Sequence, residues 1–156
     1  MTPSETRALL EAIYRDKLAL RQRRVAAARH VSHYEYNNAY QYVINRDDVH
    51  LSWLRDAIAA ASGALAEVPE PEVHDDLAAI LAEDRDRAAA FVDRWKDKIG
   101  AITNARHRTL LGLMLGETLE QQRFFAQAVA GRTDLLGPRT QGVGTGGGVL
   151  PTRWVE

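Results

Sequence analysis

The sequence predicts an all-α protein, a four-helix bundle followed by an irregular, Gly-rich C-terminal tail. Three observations carry this. Proline is absent between Pro3 and Pro69 and again between Pro71 and Pro138. Proline inside a helix costs about 3 kcal/mol, so these Ala-, Leu-, Glu- and Arg-rich stretches read as helix. Seven of the 11 glycines lie at or after Gly131, which gathers the breakers behind one boundary. No run shows the strict alternation of a half-buried strand.

Each element has its own signals. Thr2-Pro3-Ser4-Glu5 fits a capping box with proline at the first helical position and starts a helix over 3–29. Ser32-His33-Tyr34-Glu35 fits a second box, which places a turn near 29–31 and a second helix over 33–61. Gly63 is suited to end that helix in the left-handed conformation. The segment 62–71, with Val68-Pro69-Glu70-Pro71, is the link, nearly long enough for a crossover and also compatible with a simple turn. Pro71 suits the first turn of a third helix over 72–99, closed near Gly100. Thr103 or Asn104 caps a fourth over 104–130, closed by Gly131. At 1.5 Å per residue each helix is about 40–45 Å long, and four of matched length make a bundle.

This divides the chain into a bundle over 1–131 and a tail over 132–156. The run Gly142 to Gly148 cannot be helical, and no Lys-Ser/Thr follows it as a phosphate-cradling loop requires. The apolar Leu150, Trp154 and Val155 predict that the tail packs along the bundle of its own or a neighbouring subunit.

Composition removes several function classes. Hydrophobic residues make up 46% and charged residues 26%, the balance of a globular domain rather than a disordered chain. With no cysteine there is no disulfide framework, zinc-thiolate site, iron–sulfur cluster or cysteine nucleophile. A net charge of -1 gives no global basic field for nucleic acid or an anionic membrane. No apolar run is long enough for a membrane span, and MTPSETRALLEAIYRDK lacks a signal-peptide apolar core. The expectation is a cytoplasmic protein with neither membrane nor nucleic-acid partner. The first helix is basic along Arg15, Lys17, Arg21, Arg23, Arg24 and Arg29, whereas Glu67 to Asp86 is acidic. These read as solvated faces, or as basic-to-acidic pairing between neighbouring helices or subunits.

The polar residues inside the apolar stripes carry the chemistry. In the second helix Asp47 interrupts the stripe of Tyr40, Val43, Ile44, Leu51, Leu54 and Ile58, and His50 follows three residues on. In the third, Asp84 interrupts Leu77, Ile80, Leu81, Ala88, Phe91, Val92 and Trp95. In the fourth, Glu117 interrupts Leu110, Leu113, Met114, Phe124, Phe125 and Ala128, with Glu120 three residues later. A buried carboxylate requires a partner, a proton or a metal. All three lie near helix midpoints, so they share one level whichever way neighbouring helices run.

This layout resembles the ferritin-like superfamily of ferritins, bacterioferritins and rubrerythrins, over about residues 3–131. In that family each half supplies one Glu on its first helix and a Glu-x-x-His pair on its second, together holding two iron or manganese ions. The resemblance implies that Asp47 and His50 stand for the first pair, Asp84 for the lone Glu of the third helix, and Glu117 and Glu120 for the second pair. It implies a carboxylate-bridged centre of two Fe or Mn ions, no organic cofactor, a role in iron handling or in oxidation and peroxide chemistry, and a homo-oligomer, taken as a dimer. The motif is degenerate: Tyr14 stands where the first helix's Glu belongs, Asp replaces Glu twice, and no histidine accompanies Glu120. The alternative is a metal-free bundle whose carboxylates pair with Arg, Lys or Tyr from neighbouring helices, acting as a dimerisation, interaction or small-ligand-binding module.

Overall fold

The computed structural model describes residues 1–136. Four helices make up most of it: α1 (Pro3–Ala28), α2 (Tyr34–Ala60), α3 (Leu77–Gly100) and α4 (Ala105–Val129). Among the described residues there is no strand. No helix of the described residues is long and apolar enough to cross a membrane. The expected tail packing concerns Leu150, Trp154 and Val155, which lie outside the described residues.

Helix starts follow the side chains that satisfy the first free N–H groups. Thr2 and Glu5 form the expected reciprocal capping box at α1. At α2 the cap is His33 rather than Ser32, its ring nitrogen accepting from the Tyr36 N–H. At α3 the expectation of a start at 72 is corrected. Asp76 caps the helix by accepting from the Ala79 N–H, and α3 begins at Leu77. Pro71 therefore belongs to the link. Asn104 caps α4 as expected.

The end of α2 explains Gly63 differently from the sequence expectation. The left-handed residue is Ser62 (φ 56), not Gly63. The Gly63 N–H reaches back to the Ile58 carbonyl and the Ser62 N–H to that of Ala59, the paired bonds of a Schellman ending. Gly63 is required by proximity: a Cβ there would sit 2.9 Å from Ile58 Cγ2 and 3.2 Å from Arg7 Cγ on α1.

From that point the link runs along α1. The Ala64 N–H donates to Glu11, the Val68 carbonyl accepts from Gln22, and Glu70 pairs with Arg29. Since Glu11, Gln22 and Arg29 climb α1 from its first half to its end, the link traverses the bundle. It is a crossover, which makes α2 and α3 parallel. Tyr40 of α2 reaching Asp84 of α3 fits this diagonal pairing. Around the bundle α1 is flanked by α2 and α3, and α4 by the same two.

Two apolar clusters fill the interior. One gathers Leu10, Ile13, Leu51, Leu54, Phe91, Trp95 and Met114. The other gathers Ala27, Tyr40, Val43, Ile44, Ile80, Leu81 and Phe125. Between them lies a polar layer. Replacing Gly63 by Ala should destabilise the protein by about 1–3 kcal/mol in urea melts, because the β-branched Ile58 cannot yield. Ser62→Gly should leave stability unchanged or raise it by up to about 1 kcal/mol by relieving the left-handed position.

Candidate functional site

The layer is built from α1 outward. Leu10, Ile13, Tyr14, Lys17, Leu20, Arg24 and Ala27 follow the three-four spacing of one helix face, and all are buried. Lys17 and Arg24 thus sit on the inward stripe of α1, seven residues apart. Both have no solvent exposure. Such cations persist in an interior only when paired.

Their partner is Asp47 of α2. Lys17 Nζ lies 2.7 Å from Asp47 Oδ1, and Arg24 Nη1 donates to both carboxylate oxygens at 2.8 Å. Arg24 Nη1 also donates to Gln121 Oε1 of α4 at 2.8 Å, and Lys17 Nζ approaches Thr118 Oγ1 of α4 at 3.5 Å. An aromatic ring covers each cation: Phe91 lies 5.4 Å from Lys17 Nζ, and Phe125 5.6 Å from Arg24 Cζ. Burial alone would raise the Asp47 pKa, but Arg24 and Lys17 outweigh it and hold the carboxyl below its ordinary range. Burial pushes the Lys17 ammonium down to about 8, against the pull of Asp47.

Asp84 of α3 forms a second cluster. Arg23 of α1 donates from Nε at 3.1 Å, and the Tyr40 hydroxyl of α2 donates to the other oxygen. Here burial prevails and raises the carboxyl pKa. Arg23 Nη2 also lies 3.1 Å from Glu83.

Glu117 of α4 forms a third, at the α2–α4 edge. Arg46 donates from Nε at 2.6 Å and from Nη2 at 3.0 Å. Buried His50 brings Nε2 to 3.3 Å from Glu117 Oε1, without a well-aligned hydrogen bond. Burial pushes this imidazole down to about 3, and repulsion from Lys17 adds to the effect, so His50 is neutral near pH 7.

The five residues singled out in the sequence therefore do not form one group: His50 and Glu117 meet, whereas Asp47, Asp84 and Glu120 each engage other partners. Asp47, His50 and Asp84 are fully buried, but Asp47 and Asp84 serve different cations. Glu117 is one-third exposed, and Glu120 faces outward, paired with Arg123. The phase of α4 explains the last two. Its inward stripe is Leu111, Met114, Thr118, Gln121, Phe125 and Ala128, while Leu113, expected inside, is 53% exposed. Lys17, Arg23 and Arg24 enter the sequence reading only as a basic face or as pairing between neighbouring helices, and Thr118 is not among its candidates. The spacing of Leu10, Lys17 and Arg24 was a usable signal for two of them.

A di-metal centre does not fit this donor set. Cationic side chains already occupy both oxygens of Asp47, and Asp84 is held by Arg23 and Tyr40. The buried nitrogens without a hydrogen-bond partner include Arg24 Nε and Nη2 and Gln121 Nε2. A layer rich in donors favours an acceptor over another cation. Among the described residues no group of three or more His, Asp or Glu side chains could hold a metal ion. Two cavities of about 240 and 200 Å3 lie on the α1–α3 side, and neither is lined by Lys17, Asp47 or His50.

Comparison with protein-family models, curated proteins and solved structures gives no match.

Two outcomes follow from this geometry. Asp47→Asn leaves two buried cations without a carboxylate and should lower unfolding stability by about 3–5 kcal/mol in denaturant melts. Asp48→Asn, next in sequence but in a surface pair with Arg21, should change it by less than about 1 kcal/mol. The pH dependence has a defined sign. Between pH 6.5 and 3 the unfolded chain takes up a proton at His50 that the folded chain refuses, so stability falls on acidification through that window. Melts across that range should show a His50 contribution on the order of a few kcal/mol, absent in His50→Gln.

Proposed function

We propose that the chain is a metal-independent, non-catalytic helical module that works by association, with a ferritin-like helix layout whose central layer holds cationic side chains in place of metal ions. The layout is supported by the single long crossover, which among four-helix bundles is the ferritin-like connection. The observation that carries the reading is the cluster of Lys17 and Arg24 on Asp47 at 2.7–2.8 Å, with all three side chains fully buried. A carboxylate so engaged has no oxygen to offer an iron or manganese ion. The lysine ammonium, a point charge, fills the place of one.

A catalytic role draws no support from the same residues. The lowered Lys17 pKa is of the kind found at reactive lysines. Its Nζ, however, lies on Asp47, under Phe91 and beside Thr118, with no solvent exposure. His50, neutral and buried beside Trp53, has Glu117 as its one carboxylate within ion-pair range among the described residues.

Metal analysis of protein purified without chelator tests this. The expected result is less than about 0.1 equivalent of iron or manganese and a melting temperature unmoved by added Fe(II) or Mn(II). Stoichiometric metal with a raised melting temperature would overturn the reading. Glu117→Ala should destabilise by about 1 kcal/mol with or without these ions, because Arg46 loses its two-point carboxylate acceptor. In a metal site the same change would relieve carboxylate repulsion and stabilise the metal-free protein.

A further inference from the structure

We propose that the partner of this module is a second copy of the chain, docked through the outer face of α4 with the two helices antiparallel and crossing at Gly112 and Gly116. The proposal rests on reading the chain as an association module.

Gly112 and Gly116 are exposed and lie mid-helix, where each is about 0.8–1 kcal/mol less favourable than Ala. Among the described residues a Cβ added at either would meet nothing within 4 Å, so no contact among them calls for glycine. One helical turn apart, they flatten one face and let another helix approach closely. The same face carries Leu113 at 53% and Leu119 at 41% exposure. Leu113 is the one that the apolar pattern of α4 assigns to a buried surface. Beside them, partly buried Phe124 meets partly buried Tyr42 of α2 edge-on, which extends the apolar surface past α4 itself.

Charge selects the occupant and its direction. Arg106 and Arg108 stand exposed at the start of this helix, Arg108 donating from Nη1 to the Ile102 carbonyl while, among the described residues, its other nitrogens are left for a partner, and Glu120 stands exposed toward its end. The antiparallel register that sets Gly112 against Gly116 of the second copy also sets Arg108 against Glu120 of the second copy, and twofold symmetry repeats the pair. A parallel pairing would set Arg108 on Arg108 and Glu120 on Glu120. Among the described residues Glu120 pairs with the exposed Arg123, a weak surface pair that can change partner.

The test is the mass of the full-length chain by sedimentation equilibrium from about 1 to 100 µM. A dimer is expected. Leu113→Glu and, separately, Gly112→Leu should each weaken it at least about tenfold. The melting temperature of monomeric Gly112→Leu should not fall, since helix propensity improves and the site is open. Glu120→Arg should weaken the dimer, and Arg108→Glu combined with Glu120→Arg should restore it. A monomer throughout the range would overturn the proposal, as would a dimer indifferent to Leu113→Glu and Gly112→Leu. Failure of the double charge reversal to restore association would overturn the antiparallel register and with it the proposal. None of these results bears on the central layer, whose reading stands or falls on metal content.

Discussion

The bundle depends on two cations of one helix sharing a single carboxylate of its neighbour. Lys17 and Arg24 are out of water, and so is Asp47. The desolvation of three charges is recovered only if the atoms meet at hydrogen-bond distance. That requirement fixes the stagger of α1 against α2 to a fraction of a helical turn. Through Gln121 and Thr118 the same cations fix α4. The apolar clusters on either side supply the drive to collapse, which is not directional. The layer selects one alignment among the many that would bury the same leucines.

Arg23 extends the constraint to α3. It lies one residue before Arg24, so it points about 100° around the helix, toward Asp84 instead of Asp47. Adjacent arginines on α1 thereby address two different helices. Tyr40 joins α2 to the same carboxylate. Three of the four helices meet at Asp84, and three at Asp47.

Helix positions were legible because proline, glycine and capping side chains mark them locally. All four helices fall within a few residues of their expected limits, except the start of α3. There Pro71 mimicked a helix opening that Asp76 provides. The candidate layer was legible in α2 and α3, where Asp47 and Asp84 each interrupt an unambiguous stripe. It was misread in α4 because Leu110 to Leu115 is apolar at every position but Gly112, and such a run does not define a phase. Choosing Leu113 as inward carried Glu117 and Glu120 in with it. The cations of α1 were hidden for a different reason. Arginine and lysine are mostly exposed, so a basic helix reads as a solvated one until its stripe is traced through the charged positions. Pairing distances across helices are three-dimensional and leave no mark in a single sequence.

The crossover has a consequence for how the chain assembles. It divides the molecule into two helical hairpins, α1–α2 and α3–α4, each closed by a short turn and therefore quick to form. The first hairpin contains Lys17, Arg24 and Asp47 and satisfies its central carboxylate by itself. The second does not, because Asp84 finds Arg23 and Tyr40 only across the docking interface. An unpaired carboxylate on the second hairpin disfavours its collapse onto anything but the matching surface. Docking, guided along α1 by the strap that carries Val68 and Glu70, becomes the step at which the fold is proofread.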